Sequence, residues 1–385
     1  MTTSVFQGLP YGVYQTRNGT FTADANGVIT VVNPTGTALA DLYNEQVVPF
    51  GTAPFANFRN LLDGGDFTVN PWQRNIPGLA TSNVISTPIS TTPTYFADRW
   101  FAVGGTGSAV LMSAISDTSI AGFSTSLKVQ RQSSNGVTNL ITFGQVLETP
   151  DAIRTQTQQI TLSFWAKAGA NFSAAASTIG VNLIYGTGTN QTAAQLISGS
   201  WTTQSPVFAA TQVLTTSMVR YQFTGTVPYN ATQLGVTLTF TPVGTALADD
   251  SFTVNGLQLE LGSTATAFEH RDVQVELEIA QRYAWVTSEP ATSVIVGAGL
   301  NTTGSAQVFY MATPVQFRSA PTVTVSAGTW KTNQAGVATA CTISAGTTHT
   351  ANAISVNGNS TGTAGQATLL QGGGGTGYIL ASADF

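Results

Sequence analysis

Short segments in which apolar and polar residues alternate strictly recur along this sequence, with turns rather than helices between them. In QITLSFWAK (159–167), Ile160, Leu162, Phe164 and Ala166 alternate with Thr161, Ser163, Trp165 and Lys167. In QLGVTLTF (233–240), Leu234, Val236, Leu238 and Phe240 alternate with Gly235, Thr237 and Thr239. VRYQFTGTV (219–227) and SFTVNGLQLEL (251–261) follow the same rule. A strand sends successive side chains to opposite faces, so each segment has one apolar face and one face for water. With no crossover helices between them, such strands pair antiparallel. About eight strands in about 200 residues fit two packed sheets. The expected fold is mostly β: an antiparallel jelly-roll sandwich with a short N-terminal hairpin-helix module, a connecting helix and a smaller C-terminal β-domain.

The boundaries follow from where the period changes. Residues 1–58 carry two strand signals, Thr20–Ala23 and Val28–Val32, around a turn at Asn26-Gly27, then a helix signal with Leu39, Leu42 and Tyr43 on one face. This unit is too small to bury much core alone, so it is expected to anchor the chain to something else. Residues 59–270 form the jelly roll. In 271–286 the period becomes helical: Val273, Leu277, Ala280 and Ala284 make one stripe, widened by Ile279 and Tyr283, with Glu276, Glu278 and Arg282 mostly opposite. Such a stripe can pack on its own domain or on copies of itself. Residues 287–385 return to strand signals, and QGGGGTG (371–377) reads as a flexible loop before the last strand.

Charge is scarce and unevenly spent. Only 8% of the 385 residues are charged, yet seven titratable residues crowd between Glu269 and Arg282. The net charge of −5 and scattered Lys and Arg argue against a nucleic-acid partner. Cys341 is the single cysteine, which excludes an internal disulfide and a cysteine zinc site. No run of eighteen apolar residues predicts a membrane span, and the first residues lack the basic and apolar regions of a signal peptide. An outwardly polar composition without an export signal is consistent with release by cell lysis.

Candidate sites are few. Asp63, Asp66, Asp98, Asp117, Glu148, Asp151, Asp249, Asp250, Glu260 and Glu269 sit in no motif that fixes a catalytic pair, so no enzyme is expected. Asp66 with Asp249 and Asp250 could bind calcium if the first and last strands meet; the alternative is ordinary turn aspartates. Trp72, Trp100 and Trp165 could stack on sugar rings; the alternative is core or subunit contact. His270 and His349 lie in different units and make no triad.

NLLDGGDFTVNPWQR (60–74), FADRWFA (96–102), SLKVQR (126–131), GQVLE (144–148), ITLSFWAKAG (160–169) and LQLELGSTATAFEHRDVQVELEIAQRYAW (257–285) occur in that order. Together they resemble the carbohydrate-binding-module-like jelly roll of many bacteriophage tail-fibre and other virion surface proteins, over roughly residues 60–285. The N-terminal stretch 17–50 and the ending GYILASADF are similar to phage structural modules and fibre tips. The resemblance implies a non-enzymatic structural protein made in the host cytoplasm and placed on the virion surface as a fibre, spike or decoration. It implies a homotrimer with the helix near the symmetry axis, Val273, Leu277, Ala280 and Ala284 making the oligomer contact. The N-terminal module would meet other virion proteins, and host surface glycan is a candidate contact. A dedicated host-glycan adhesin and a polysaccharide depolymerase are the alternatives. No cofactor other than calcium is expected.

Overall fold

A computed structural model describes residues 12–16, 19–23, 29–31, 59–67, 84–88, 92–97 and 99–384. The chain divides into two compact units, 1–57 and 58–385. The first contains a three-stranded antiparallel sheet of β1 (Gly12–Thr16), β2 (Gly19–Ala23) and β3 (Ile29–Val31) in that order. The strand β1 adds to the two signals in the sequence. The helix signal at Leu39, Leu42 and Tyr43 lies outside the described residues.

The second unit begins with twelve strands and two short helices. They are β4 (Val84–Pro88), β5 (Thr94–Ala97), β6 (Trp100–Val103), β7 (Ala109–Ser116), β8 (Thr125–Arg131), β9 (Ile141–Val146), α1 (Thr149–Ile153), β10 (Gln159–Ala168), β11 (Thr178–Gly186), α2 (Ala193–Ile197), β12 (Ser205–Val213), β13 (Val219–Thr226), β14 (Gln233–Phe240) and β15 (Ser251–Leu261). They form two six-stranded sheets, β13-β10-β15-β8-β7-β4 and β12-β11-β14-β9-β6-β5. The chain passes back and forth between the sheets, so each draws its strands from the whole segment. This is the antiparallel jelly roll. The inward sets of the alternating segments meet in the core: Leu162 and Phe164 from β10, Val236 and Leu238 from β14, Phe252 and Leu259 from β15. Each such side chain, fully buried, is worth about 1.5–3 kcal/mol relative to exposure.

The strand β15 departs from strict alternation at one place. Phe252 and Val254 point inward, then Leu257 and Leu259, so the phase slips by one at Asn255-Gly256. The pairing with β10 shifts register opposite, between Ser163 and Trp165. Gly256 has φ +57°, and a Cβ there would lie 2.6 Å from the Trp165 ring. This β-bulge needs glycine for both reasons.

The outer face of the first sheet departs from the expectation of a wet surface. Thr161, Ser163, Asn255, Gln258 and Glu260 point outward yet are buried. The segment 262–271 crosses over part of them. Thr266 gives Glu260 its backbone N–H at 2.8 Å and its hydroxyl at 2.6 Å, while Glu269 N donates to Gln258 Oε1 at 2.8 Å. Period two reports which residues share a face; it does not report whether another segment covers that face.

Beyond the jelly roll, α3 (Val273–Gln281) leads into β16 (Ala284–Ser288). Then come β17 (Ile295–Asn301), β18 (Ala306–Ala312), β19 (Thr322–Val325), β20 (Lys331–Gln334), β21 (Val337–Ala340), β22 (Thr342–Ala345), β23 (Ala353–Asn359), β24 (Ala367–Gln371) and β25 (Tyr378–Ser382). They make a three-stranded sheet, β16-β25-β19, and a seven-stranded sheet, β21-β20-β24-β17-β18-β23-β22. Phe309, Phe317, Trp330, Ile354, Leu370 and Ile379 fill the core of this region.

The glycine-rich stretch before β25 is not a loose loop. The Glu289 carboxylate accepts N–H bonds from Gly373 (2.9 Å), Gly375 (3.0 Å) and Gly377 (3.1 Å), and both the N–H (2.9 Å) and hydroxyl (2.6 Å) of Thr329. The glycines are needed for close approach: a Cβ on Gly372 or Gly373 would run into the carbonyls of Pro290 and Thr329. Among the described residues no helix is long and apolar enough to cross a membrane.

Candidate functional site

The uncovered end of the first sheet's outer face carries a groove of about 320 Å³. Strand register builds it. Lys167 on β10 pairs with Thr253 on β15, and Thr253 pairs with Lys128 on β8. All three side chains therefore stand on one face, and the two lysines lie two strand spacings apart, about 10 Å between Cα atoms. Ile115, Ser251, Gly169 and the exposed Thr216 complete the lining.

Each lysine has an aspartate. Lys128 Nζ lies 2.7 Å from Asp249 Oδ1, in the groove, and Lys167 Nζ lies 3.3 Å from Asp117 Oδ2, behind it. Burial works against the Asp249 charge. The hydrogen bond from Lys128, the Ala170 N–H at 2.8 Å and the Ser251 hydroxyl at 2.8 Å outweigh it and hold the carboxyl below its usual range. Asp117 is likewise lowered: burial opposes, and Ser119 and Lys167 prevail. Both carboxylates stay ionised, and the four groups sum to no net charge.

The structure places the aromatic candidates elsewhere. Trp100 is fully buried, stacked on Phe143 at 4.8 Å, and its indole N–H donates to Gly64 O at 3.2 Å. It is a core residue and no platform for a sugar. Trp100 and Ala102 on β6 join the sandwich core while Phe101 between them joins a separate buried cluster with Val146, Leu196 and Trp201, and this placement is the physical reason. Trp165 stands two residues from Lys167 on the same face and is half-buried. The Arg220 guanidinium lies 4.5 Å from its ring centre and Phe123 5.4 Å away. One face of the ring is taken by Arg220, and Trp165 does not line the groove. Trp72 lies outside the described residues.

The calcium trio is not assembled. Asp250 is buried against Arg131, Nη1 to Oδ2 at 2.7 Å, and also accepts from the Ser173 N–H and hydroxyl. Arg131 Nη2 donates to the carbonyls of Asn135 and Val137 in one loop and Gly244 in another, tying the two together. The guanidinium thus holds the place expected of a cation. Asp249 belongs to Lys128, and Asp66 faces His270 at 3.5 Å. Gly65, next to Asp66, bonds Leu257, six residues along β15 from Ser251, so about 20 Å of strand separates Asp66 from Asp250. Among the described residues no three His, Cys, Asp or Glu side chains are grouped to hold a metal.

A second cleft, of about 380 Å³, lies where the jelly roll meets α3 and is lined by Asp63, Glu148, Asp151, Arg154, Arg271, Arg282 and Tyr283 among others. It takes up Arg271, Glu276 and Arg282 from the crowded charges of 269–282. Asp63 lies between Arg99 (3.1 Å) and Arg271 (3.5 Å). Arg271 also pairs with Glu276 at 3.2 Å, and Glu276 accepts the Gly64 N–H. Arg282 grips Glu148 with two bonds, 2.9 and 3.1 Å, and the Tyr283 hydroxyl adds a third at 2.5 Å. Burial raises Glu276, with Arg271 opposing. Burial also acts against the Glu148 charge, but Arg282 and Tyr283 lower it. The cleft is an ion-paired junction.

The helical stripe is broken by this packing. The helix α3 ends at Gln281, and Ala284 belongs to β16. Ala280 and Ala284 are buried within the chain, Leu277 is half-buried and Val273 is 57% exposed. An Asp272 cap and the switch to strand pairing at Ala284 shorten the helix to nine residues.

The groove escaped the sequence reading because it depends on register. SLKVQR and FWAK each show a lysine on the polar face. Nothing in either segment says that β15 sits between them with Thr253 level with both.

The fold and groove together define a jelly-roll β-sandwich with a polar recess on one face. Solved structures similar to this chain include a CBM4 module, at 19% identity over 43% of this chain and 88% of the other, with a TM-score of 0.28. Others are the family 11 carbohydrate-binding module from Clostridium thermocellum in complex with a β-1,3-1,4-mixed-linked tetrasaccharide (12% identity, 45% and 91%, 0.29) and the enzymatically active domain of bacteriophage CBA120 tailspike protein 4 (12% identity, 53% and 22%, 0.30). No protein-family model and no curated protein matches the chain.

Proposed function

We propose that this protein is a carbohydrate-binding jelly-roll protein of a bacteriophage virion surface, acting without catalysis and without a cofactor. The observation that carries the reading is the groove on the first sheet. It presents ammonium groups, a carboxylate and hydroxyls on a rigid strand framework, which is what recognition of a polyhydroxylated ligand requires. The commitment of the carboxylates supports a binding role over hydrolysis. Asp63, Glu148, Asp250 and Glu289 are each engaged by cations or several donors, whereas a glycosidase needs one carboxyl available as acid and another as nucleophile or base.

The virion placement rests on the ordered motifs over roughly residues 60–285 and on the separate unit 1–57, suited to an anchor. The homotrimer belongs to the same proposal; apolar side chains exposed at Val273, Leu300 and Tyr310 support self-association. Binding of the full chain to immobilised glycans tests the carbohydrate reading, and absence of binding to every glycan would overturn it. Mass spectrometry of purified particles tests the placement, and light scattering the trimer.

A further inference from the structure

The carbohydrate reading leaves open which chemistry the groove selects. We infer that it takes an uncharged glycan and grips it through a vicinal diol bridged by Lys128 and Asp249; this rests on the carbohydrate-binding reading above.

The argument begins with the pair itself. Lys128 Nζ and Asp249 Oδ1 are 2.7 Å apart, a donor beside an acceptor, both part-exposed at the groove. Two hydroxyls on neighbouring ring carbons lie at hydrogen-bond separation from each other. One can accept from the ammonium while the next donates to the carboxylate, so the diol fits the pair without either charge losing a partner. An ammonium has three donors, and Lys128 gives one to Asp249. Lys167, similarly tethered to Asp117, keeps donors for a hydroxyl further along. The hydroxyls of Ser251 and Thr253 floor the space between, and Ile115 offers an apolar surface for ring C–H groups.

Charge decides against an acidic glycan. A carboxylate or sulfate drawn to Lys128 would sit beside the ionised Asp249 and would have to displace it. Asp249 is fixed by two further donors, the Ala170 N–H and the Ser251 hydroxyl, so it does not swing away. Gly169 makes that position possible, since a Cβ there would run into Ser251 Oγ. Charge-assisted hydrogen bonds are the stronger kind, so removing either member costs roughly tenfold or more in affinity.

Calorimetric titration of the full chain against a neutral hexose oligosaccharide set and a polyuronate set tests this. The expected result is binding of a neutral oligosaccharide with little dependence on salt. Lys128→Met and Asp249→Asn should each weaken it roughly tenfold or more. Thr216→Trp, which fills the groove from an exposed position and leaves both ion pairs in place, should abolish it with unchanged melting. Tighter binding of polyuronates, falling steeply with salt, would overturn this inference and leave the carbohydrate reading standing. Neutral binding untouched by Thr216→Trp would place the site elsewhere and also overturn it. Failure of both sets to bind would remove both readings.

Discussion

Glu289 offers a direct measure of how firmly the C-terminal region is closed. Its carboxylate collects five donors from Thr329, Gly373, Gly375 and Gly377, and these hold its pKa down to about 2 although burial pushes it up. Relative to an ordinary carboxyl at about 4.5, that difference corresponds to about 3 kcal/mol. The folded value is the lower one, so the stabilisation is fully present above about pH 4.5 and is lost as pH falls toward about 2. Glu289→Gln keeps the shape but places an amide N–H₂ where only acceptors serve. Its expected cost is about 3 kcal/mol at pH 7, shrinking toward pH 2. The assay is denaturant unfolding followed through Trp330, which lies in the same core, at several pH values. Hydrogen exchange provides a local readout: the amides of Gly373, Gly375 and Gly377 should exchange about a hundredfold faster in the variant at pH 7. Unchanged exchange, or a destabilisation equally large at pH 2.5, would refute the carboxylate as the source of order.

Other expectations follow from the same geometry. Arg131→Met should destabilise the jelly roll by about 3–5 kcal/mol in thermal or denaturant unfolding, because Asp250 is left buried without its cation. Gly256→Ala should cost about 1–3 kcal/mol through its positive φ and the Trp165 ring, and should weaken the Arg220 stacking seen as a change in Trp fluorescence. Chelation with EDTA should leave the melting temperature unchanged, since Arg131 fills the place proposed for a cation; a fall in melting would show a metal site. Arg282→Met should lower the melting of the junction by removing two bonds to Glu148, and the loss should be smaller below the carboxylate range, where wild-type Glu148 is itself protonated.

The sequence made the sandwich legible because strand facing is a local property. Ile160, Leu162 and Phe164 point inward whatever their neighbours are, and they are found in the core. What was not legible depends on distant pairs. Trp165 and Trp100 looked alike as single residues; register and layer put one under the Arg220 guanidinium on the outer face and the other under Phe143 in the core. Asp66 looked near the start of β15 on the expectation that end strands meet. The opening turn, not a strand, meets β15, and it does so at Leu257 rather than at Asp250. The run QGGGGTG suggested freedom, because glycine alone signals only permissiveness. The acceptor that orders it is 84 residues away at Glu289, beyond any local window.

The charged stretch shows the same dependence at its plainest. A helix with Glu276 and Arg282 on one side reads as amphipathic, with the apolar stripe as the packing face. In the structure the charged side packs. Arg271 lies against Asp63, Glu269 and Glu276, and Arg282 against Glu148. Asp63 and Glu148 come from the opening turn of the jelly roll and the start of α1, so neither is near the helix in sequence. An uncompensated carboxylate at either place would be costly once α3 covers it, and an apolar helix face would leave it so. The cations are therefore placed by what the jelly roll presents at its exit. Asp272, Val273 and Glu278 are left exposed and Leu277 half-buried. A surface for other copies of the chain would have to be built from these positions, while Arg271, Glu276 and Arg282 are already paired within one chain.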